Sequence, residues 1–149
     1  MRLTDTILTQ INSTYDGDAW HGTPLRKILD GIDDAKAHAR PIADAHTIAE
    51  LAAHIAADIE IVERRARLEH VDITPEMDFP NVDGVAFSEI VARIERAHAK
   101  LVETVAKIPD EQFEEIVPGK KYTHEFMLFG VVNHNVYHSA QIALLKKAI

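Results

Sequence analysis

Apolar residues recur along this chain at intervals of three and four, and no stretch shows the strict alternation of a half-buried strand. Ile7, Leu8 and Ile11 set a first, modest helix over Leu3 to Tyr15, which Asp16-Gly17-Asp18 breaks. Thr23 followed by Pro24 reads as a helix start. The stripe Leu25, Ile28, Leu29 and Ile32 follows, interrupted by Gly31 and closed by Arg40-Pro41. Thr47-Ile48-Ala49-Glu50 matches a capping box and opens a helix from Ile48 to about Leu68. Its apolar positions are Leu51, Ile55, Ile59 and Val62, with Arg64, Arg65 and Arg67 outward near its end. Prolines at 75 and 80, with Asn81 and Gly84, make Asp72 to Gly84 a connecting loop. Ile90, Ile94, Ala97, Leu101 and Val105 predict a helix from about Phe87 to Ile108, and Asp110 to Phe113 suggests a further turn. The last helix runs from Thr123 to Lys147. The pattern predicts one all-α domain over residues 1–149, a four-helix bundle with a short extra N-terminal helix.

Composition narrows the function. At 149 residues, 46% of them apolar, the chain can bury a sizeable core. A net charge of −8, without a run of Lys and Arg, argues against a nucleic-acid partner or an anionic membrane surface. No apolar run approaches the roughly 20 residues of a spanning helix, and the start of the chain lacks the apolar segment of a secretory signal. The absence of cysteine excludes disulfides, thiolate ligands and a cysteine nucleophile, and fits a cytoplasmic protein. A metal ion here must be held by histidines and carboxylates.

The candidate chemistry lies in histidines. His134 and His138, four residues apart on the last helix, place both rings on one face within reach of one ion. Spacing alone is weak evidence, because nine histidines in a chain of this length give roughly half such a pair by chance. Two core-edge histidines satisfied by backbone or water are the alternative. His54 lies at the buried edge of the helix that opens with the capping box. Were the two helices packed side by side, the three would form a site with open positions, as expected of a catalytic metal. Asp58, one turn after His54, has three readings: a fourth ligand, a partner behind a ligand, or a solvated charge, the last slightly favoured. His21 sits in a turn beside the single Trp. His38, His46, His70, His98 and His124 read as surface residues, and Arg64-Arg65 as a solvated face. No phosphate-binding glycine loop, Gly-x-Ser-x-Gly or HExxH is present.

Three tracts, Ala19-Trp20-His21-Gly22, Ala45 to Ala56 and Phe126 to Leu145, resemble the DinB-like (DinB/YfiT) superfamily. The last is the most specific, with His-x-x-x-His followed by Ala-Gln-Ile-Ala-Leu-Leu. The resemblance implies a four-helix bundle, commonly dimeric, with a divalent metal on three histidines that fall on His54, His134 and His138. Zinc or nickel suits such a site best, and iron or manganese is also compatible. It further implies a small-molecule substrate and one of two activities, transfer to or from a low-molecular-weight thiol, or hydrolysis. Either needs an ion that promotes ionisation of a thiol or of water, with Asp58 or His21 as proton acceptor. The competing expectation is a non-catalytic, stress-associated metal-binding bundle whose ion is structural. Many relatives carry an aromatic residue where this chain has Asp58, which predicts a more polar or differently shaped pocket.

Overall fold

The computed structural model describes residues 1–149. Its seven helices are α1 (Leu3–Asp16), α2 (Leu25–Leu29), α3 (Asp34–His38), α4 (Ile48–Ala66), α5 (Pro75–Asp78), α6 (Phe87–Val105) and α7 (His124–Lys146). A 3₁₀ turn, Asp110–Glu114, precedes the loop into α7. There are no strands, and two isolated bridges pin turns, Ala19 to Gly22 and Ile116 to Thr123. The architecture is an all-α bundle in which α1, α4, α6 and α7 are the long members. No helix is long and apolar enough to cross a membrane.

The helix at the centre is α4. It packs against both α6 and α7, and also touches α3 and α5. Leu51, Ala52, Ile55, Ala56, Ile59 and Val62 are all buried, in one core with Ile94, Leu101, Leu128, Val131 and Ile142. The many alanines on α4 let its neighbours approach closely without an entropic cost to the helix. Its start is fixed as the sequence predicts. Thr47 Oγ1 accepts from the Glu50 amide at 3.1 Å, and Glu50 Oε2 accepts from the Thr47 amide at 2.9 Å. Arg40 Nη2 then donates to Glu50 Oε1 at 2.7 Å, tying the preceding loop to the cap.

The segment from Leu25 to Arg40 forms two five-residue helices rather than one long one. Asp30 leaves the helical region, and Gly31 takes φ +74°, which a side chain would resist. Lys146 Nζ donates to the carbonyls of Ile28 and Asp30, so the end of α7 caps α2. The connection after α4 contains the short helix α5, begun by Thr74 and Pro75.

Four surface expectations fail where another segment packs over the residue, His38 among them, half-buried with Nε2 2.9 Å from Val85 O. Arg65 is only 6% exposed; its Nε and Nη2 donate to Val71 O and its Nη1 to Tyr122 Oη. His124 is fully buried where the Ile116–Thr123 bridge draws the start of α7 inward, with Nδ1 3.0 Å from Glu115 O and Nε2 without a partner. His98 is half-buried on α6, stacked on Tyr15 of α1 at 4.0 Å and bonded through Nε2 to Asn12 Oδ1.

Burial lowers the His98 pKa from 6.5 to about 4, a shift that nearby Asp16 opposes. Between those values the unfolded chain binds a proton that the folded chain does not. The contribution is therefore intact above pH 6.5 and fades as pH falls toward 4. Urea denaturation at pH 7 and pH 5 should show the native protein losing stability on acidification. His98→Phe, which retains the stack on Tyr15, should lose measurably less; equal losses would contradict this role for His98.

Candidate metal centre

The antiparallel contact of α4 with α7 brings His54 beside His134 and His138. One ligand-capable nitrogen from each lies within 4.8 Å of the other two. The ring centroids are 4.5 to 4.7 Å apart, with every pair edge-on rather than stacked. Edge-on packing lets the rings crowd together without stacking, which keeps a nitrogen of each near the other two. His54 is buried, while His134 and His138 are partly open.

The hydrogen bonding of the outer nitrogens sharpens this. His54 Nδ1 lies 2.6 Å from the main-chain oxygen of Asp78, with Asp78 Oδ1 at 3.4 Å. His138 Nδ1 lies 2.6 Å from Gln141 Oε1. His134 Nδ1 faces Asp58 Oδ2 at 3.2 Å and Asn135 Oδ1 at 3.5 Å. Each Nδ1 thus faces an oxygen acceptor and is placed to carry the ring proton, which leaves each Nε2 as a lone-pair donor. Nε2 of His54 and Nε2 of His134 are 2.9 Å apart. Two lone pairs at that separation repel unless a proton or a cation lies between them. Burial, the largest influence, pushes the His138 pKa down; Gln141 opposes it, and His134, His54 and His46 reinforce it. A depressed pKa keeps that ring neutral, as a metal ligand must be.

An aromatic stack supports the buried histidine. Phe79 lies 4.1 Å from His54 with the rings 4° from parallel, and 4.1 Å from His46 on its other face at 13°. The segment Asp78-Phe79 therefore orients His54 twice, by the Asp78 carbonyl and by the Phe79 ring. A neighbouring cleft of about 350 Å³, lined by Ile42, His46, Leu51, Gln141 and Leu144 among others, shares Gln141 and His46 with these surroundings.

Asp58 is not a solvated charge. Its side chain is 21% exposed and turned toward His134, which four-residue spacing from His54 on the α7-facing side of α4 accounts for. Burial pushes its pKa up, against the pull of His134, His54 and Arg65. His21, by contrast, is exposed in the turn between α1 and α2 and lies outside the cluster. Tyr137 is 63% exposed and touches His138 edge-on at 5.0 Å. Asp78, Phe79 and Gln141 are supporting residues that the sequence reading missed. Only Gln141 carried a signal, its three-residue spacing from His138; the loop residues had none.

Comparison with known proteins agrees with this picture. A crystal structure of a conserved protein from Enterococcus faecalis superposes with a TM-score of 0.75 at 14% identity, covering 100% of this chain and 98% of that one. At that identity the likeness speaks for the fold alone. No functionally curated protein matches the chain. The sequence profile of the DinB superfamily matches residues 19–142, a span that includes the three clustered histidines and most of the bundle. The chain belongs to the DinB superfamily.

Proposed function

We propose that the protein is a divalent-metal enzyme whose ion is held by Nε2 of His54, His134 and His138, with the remaining positions open to a small molecule. The observation that carries this is the convergence of one ring nitrogen from each of three histidines whose Nδ1 atoms already face oxygen partners. Three neutral imidazoles leave the ion its full charge, and no fourth protein ligand joins the cluster. A divalent ion there would act as a Lewis acid, bringing ionisation of a thiol or of water near neutral pH. Zinc or nickel is the favoured ion, with iron or manganese as alternatives.

Transfer involving a low-molecular-weight thiol is the leading reaction, and hydrolysis the other branch. With no cysteine in the chain, the thiol must arrive with the substrate. His54 orients the ion from the buried side, and the partly open His134 and His138 leave room for a substrate to approach. The alternative, an ion that serves only to join two helices, has less support. Apolar side chains of α4 and α7 already share one core without it.

Metal-stripped, untagged protein should bind one equivalent of cobalt(II), and His134→Ala should weaken binding on the order of 100-fold. Uptake unchanged in that variant would sink the site. Thermal melts should show a modest stabilisation by metal, because the core is complete; collapse on chelation would favour the structural reading. A panel of small thiols offered with an electrophilic substrate should show metal-dependent thiol consumption. No turnover with any thiol, together with metal-dependent ester or amide cleavage, would move the assignment to hydrolysis.

A homodimer is part of the same reading, and the outer face of α7 supports it. Phe126, Tyr137 and Leu144 are 63 to 68% exposed there. With Gly130, Asn133 and Ala140 they form an uncharged seam spaced by fours and threes, as in paired helices. The seam is symmetric about position 135. An antiparallel two-fold pair would set Phe126 against Leu144, Gly130 against Ala140 and Asn133 against Tyr137 of the second copy. Sedimentation should therefore give a dimer for the native chain and a monomer for Phe126→Glu with Leu144→Glu, with cobalt uptake retained. A monomeric native protein would remove the dimer from the reading.

A further inference from the structure

Asp58 is the more enclosed of the two carboxylates beside the three histidines, and the partners of the other two rings differ from it in kind. His54 is held through Nδ1 by a main-chain carbonyl and His138 by a side-chain amide, both neutral. The only other carboxylate near, that of Asp78, is 46% exposed and 3.4 Å from His54. At His134 the nearest oxygen to Nδ1 is Asp58 Oδ2, an ion-pair contact at 3.2 Å, whereas the hydrogen bond of Nδ1 runs to the amide oxygen of Asn135 at 3.5 Å. Nδ1 and Nε2 lie on different sides of an imidazole, so an oxygen facing Nδ1 stands behind the ring as seen from the centre.

We infer that Asp58 is a positioning residue that acts through His134, its charge beside Nδ1 favouring the Nδ1–H tautomer and strengthening Nε2 as a donor, rather than a proton acceptor for the substrate. This inference rests on the three-histidine reading. Its physical basis is the carboxylate–imidazole–metal relay, in which an anion behind the ring orients it and raises its basicity. Four-residue spacing on α4 lets one helix supply both a ligand, His54, and the support for a ligand on another helix. The arrangement couples α4 to α7 through the site twice, once at the shared centre and once behind it.

The relay makes His134 the ligand most sensitive to a single substitution behind the ring. Asn135, on the same helix as His134, takes the Nδ1 hydrogen bond with a neutral amide, so its substitution separates loss of that bond from loss of the Asp58 charge. A general base facing the substrate would leave metal affinity untouched when removed, whereas a relay partner would not.

The test is cobalt(II) affinity, measured by competition with a chelator, together with imidazole nitrogen NMR on the metal-free protein. Asp58→Ala should bind cobalt about 10- to 100-fold more weakly, Asp58→Asn should fall between it and the native chain, and Asn135→Ala should change affinity less than about threefold. In metal-free protein, His134 should be the Nδ1–H tautomer in the native chain and a mixture in Asp58→Ala. Should Asp58→Ala fail to fold, the near-isosteric Asp58→Asn carries the test alone. Native affinity and an unchanged His134 tautomer in the Asp58 variants would overturn the inference, as would an Asn135→Ala effect equal to theirs. If the native protein itself takes up no cobalt, it is the three-histidine reading that fails; the tautomer measurement still reports what Asp58 does to His134.

Discussion

The constraint on which the structure depends is the enclosure of α4. Packed by α6 on one side and α7 on the other, it buries fifteen of its nineteen residues. Apart from the exposed Glu60 and Arg64, the polar groups on such a helix must find partners within the fold. Thr47 and Glu50 satisfy its first amides. Glu63 is held by Arg67 and by Thr104 of α6. Arg65 is satisfied by Val71 and Tyr122. Midway along lie His54 and Asp58, and their partners belong to the loop at Asp78 and to α7.

Those last two differ from the rest. The polar groups at the ends of α4 are fully answered by protein atoms. In the middle, only the outer nitrogen of His54 is answered in that way; the inner one meets the inner nitrogen of His134 at 2.9 Å. A cluster in which every outward nitrogen faces an acceptor and the inward ones face each other is short of positive charge. A proton shared between the two rings or a cation between them answers that shortage, so the cluster could hold a metal ion by its hydrogen bonding as well as by its spacing.

How much of this was legible in the sequence depended on range. Patterns decided within one or two helical turns could be read: the apolar faces, the capping box at Thr47 and the His134–His138 pair. Gly31 was visible as an interruption, but that it divides Leu25–Arg40 into two helices depends on Lys146 reaching back to their junction from the other end of the chain. Burial of Arg65 and His124 is set by Val71, Tyr122 and Glu115, none of which marks itself in the local pattern. Grouping His54 with the later pair needed the assumption that two helices pack side by side; the structure supplies the packing. Asp58 shows the limit most clearly. Its spacing from His54 placed it on the right face, but whether that face met water or His134 was a question about a helix some eighty residues away.

The fold alone says little about the reaction, because a bundle can be shared at 14% identity while its centre changes. More specific is the composition of the space around the three histidines. A carboxylate stands behind His134 and an aromatic stack behind His54, and an apolar cleft adjoins His138 by way of Gln141. The three supports are chemically unequal: charged, neutral with a stacked ring, and neutral. A centre with equivalent ligands would present an incoming group with little reason to choose one approach. Here the stack closes the His54 side, whereas His134 and His138 remain partly open. The open side of the cluster is therefore the α7 side, next to the cleft that Ile42, Leu51 and Gln141 help to line.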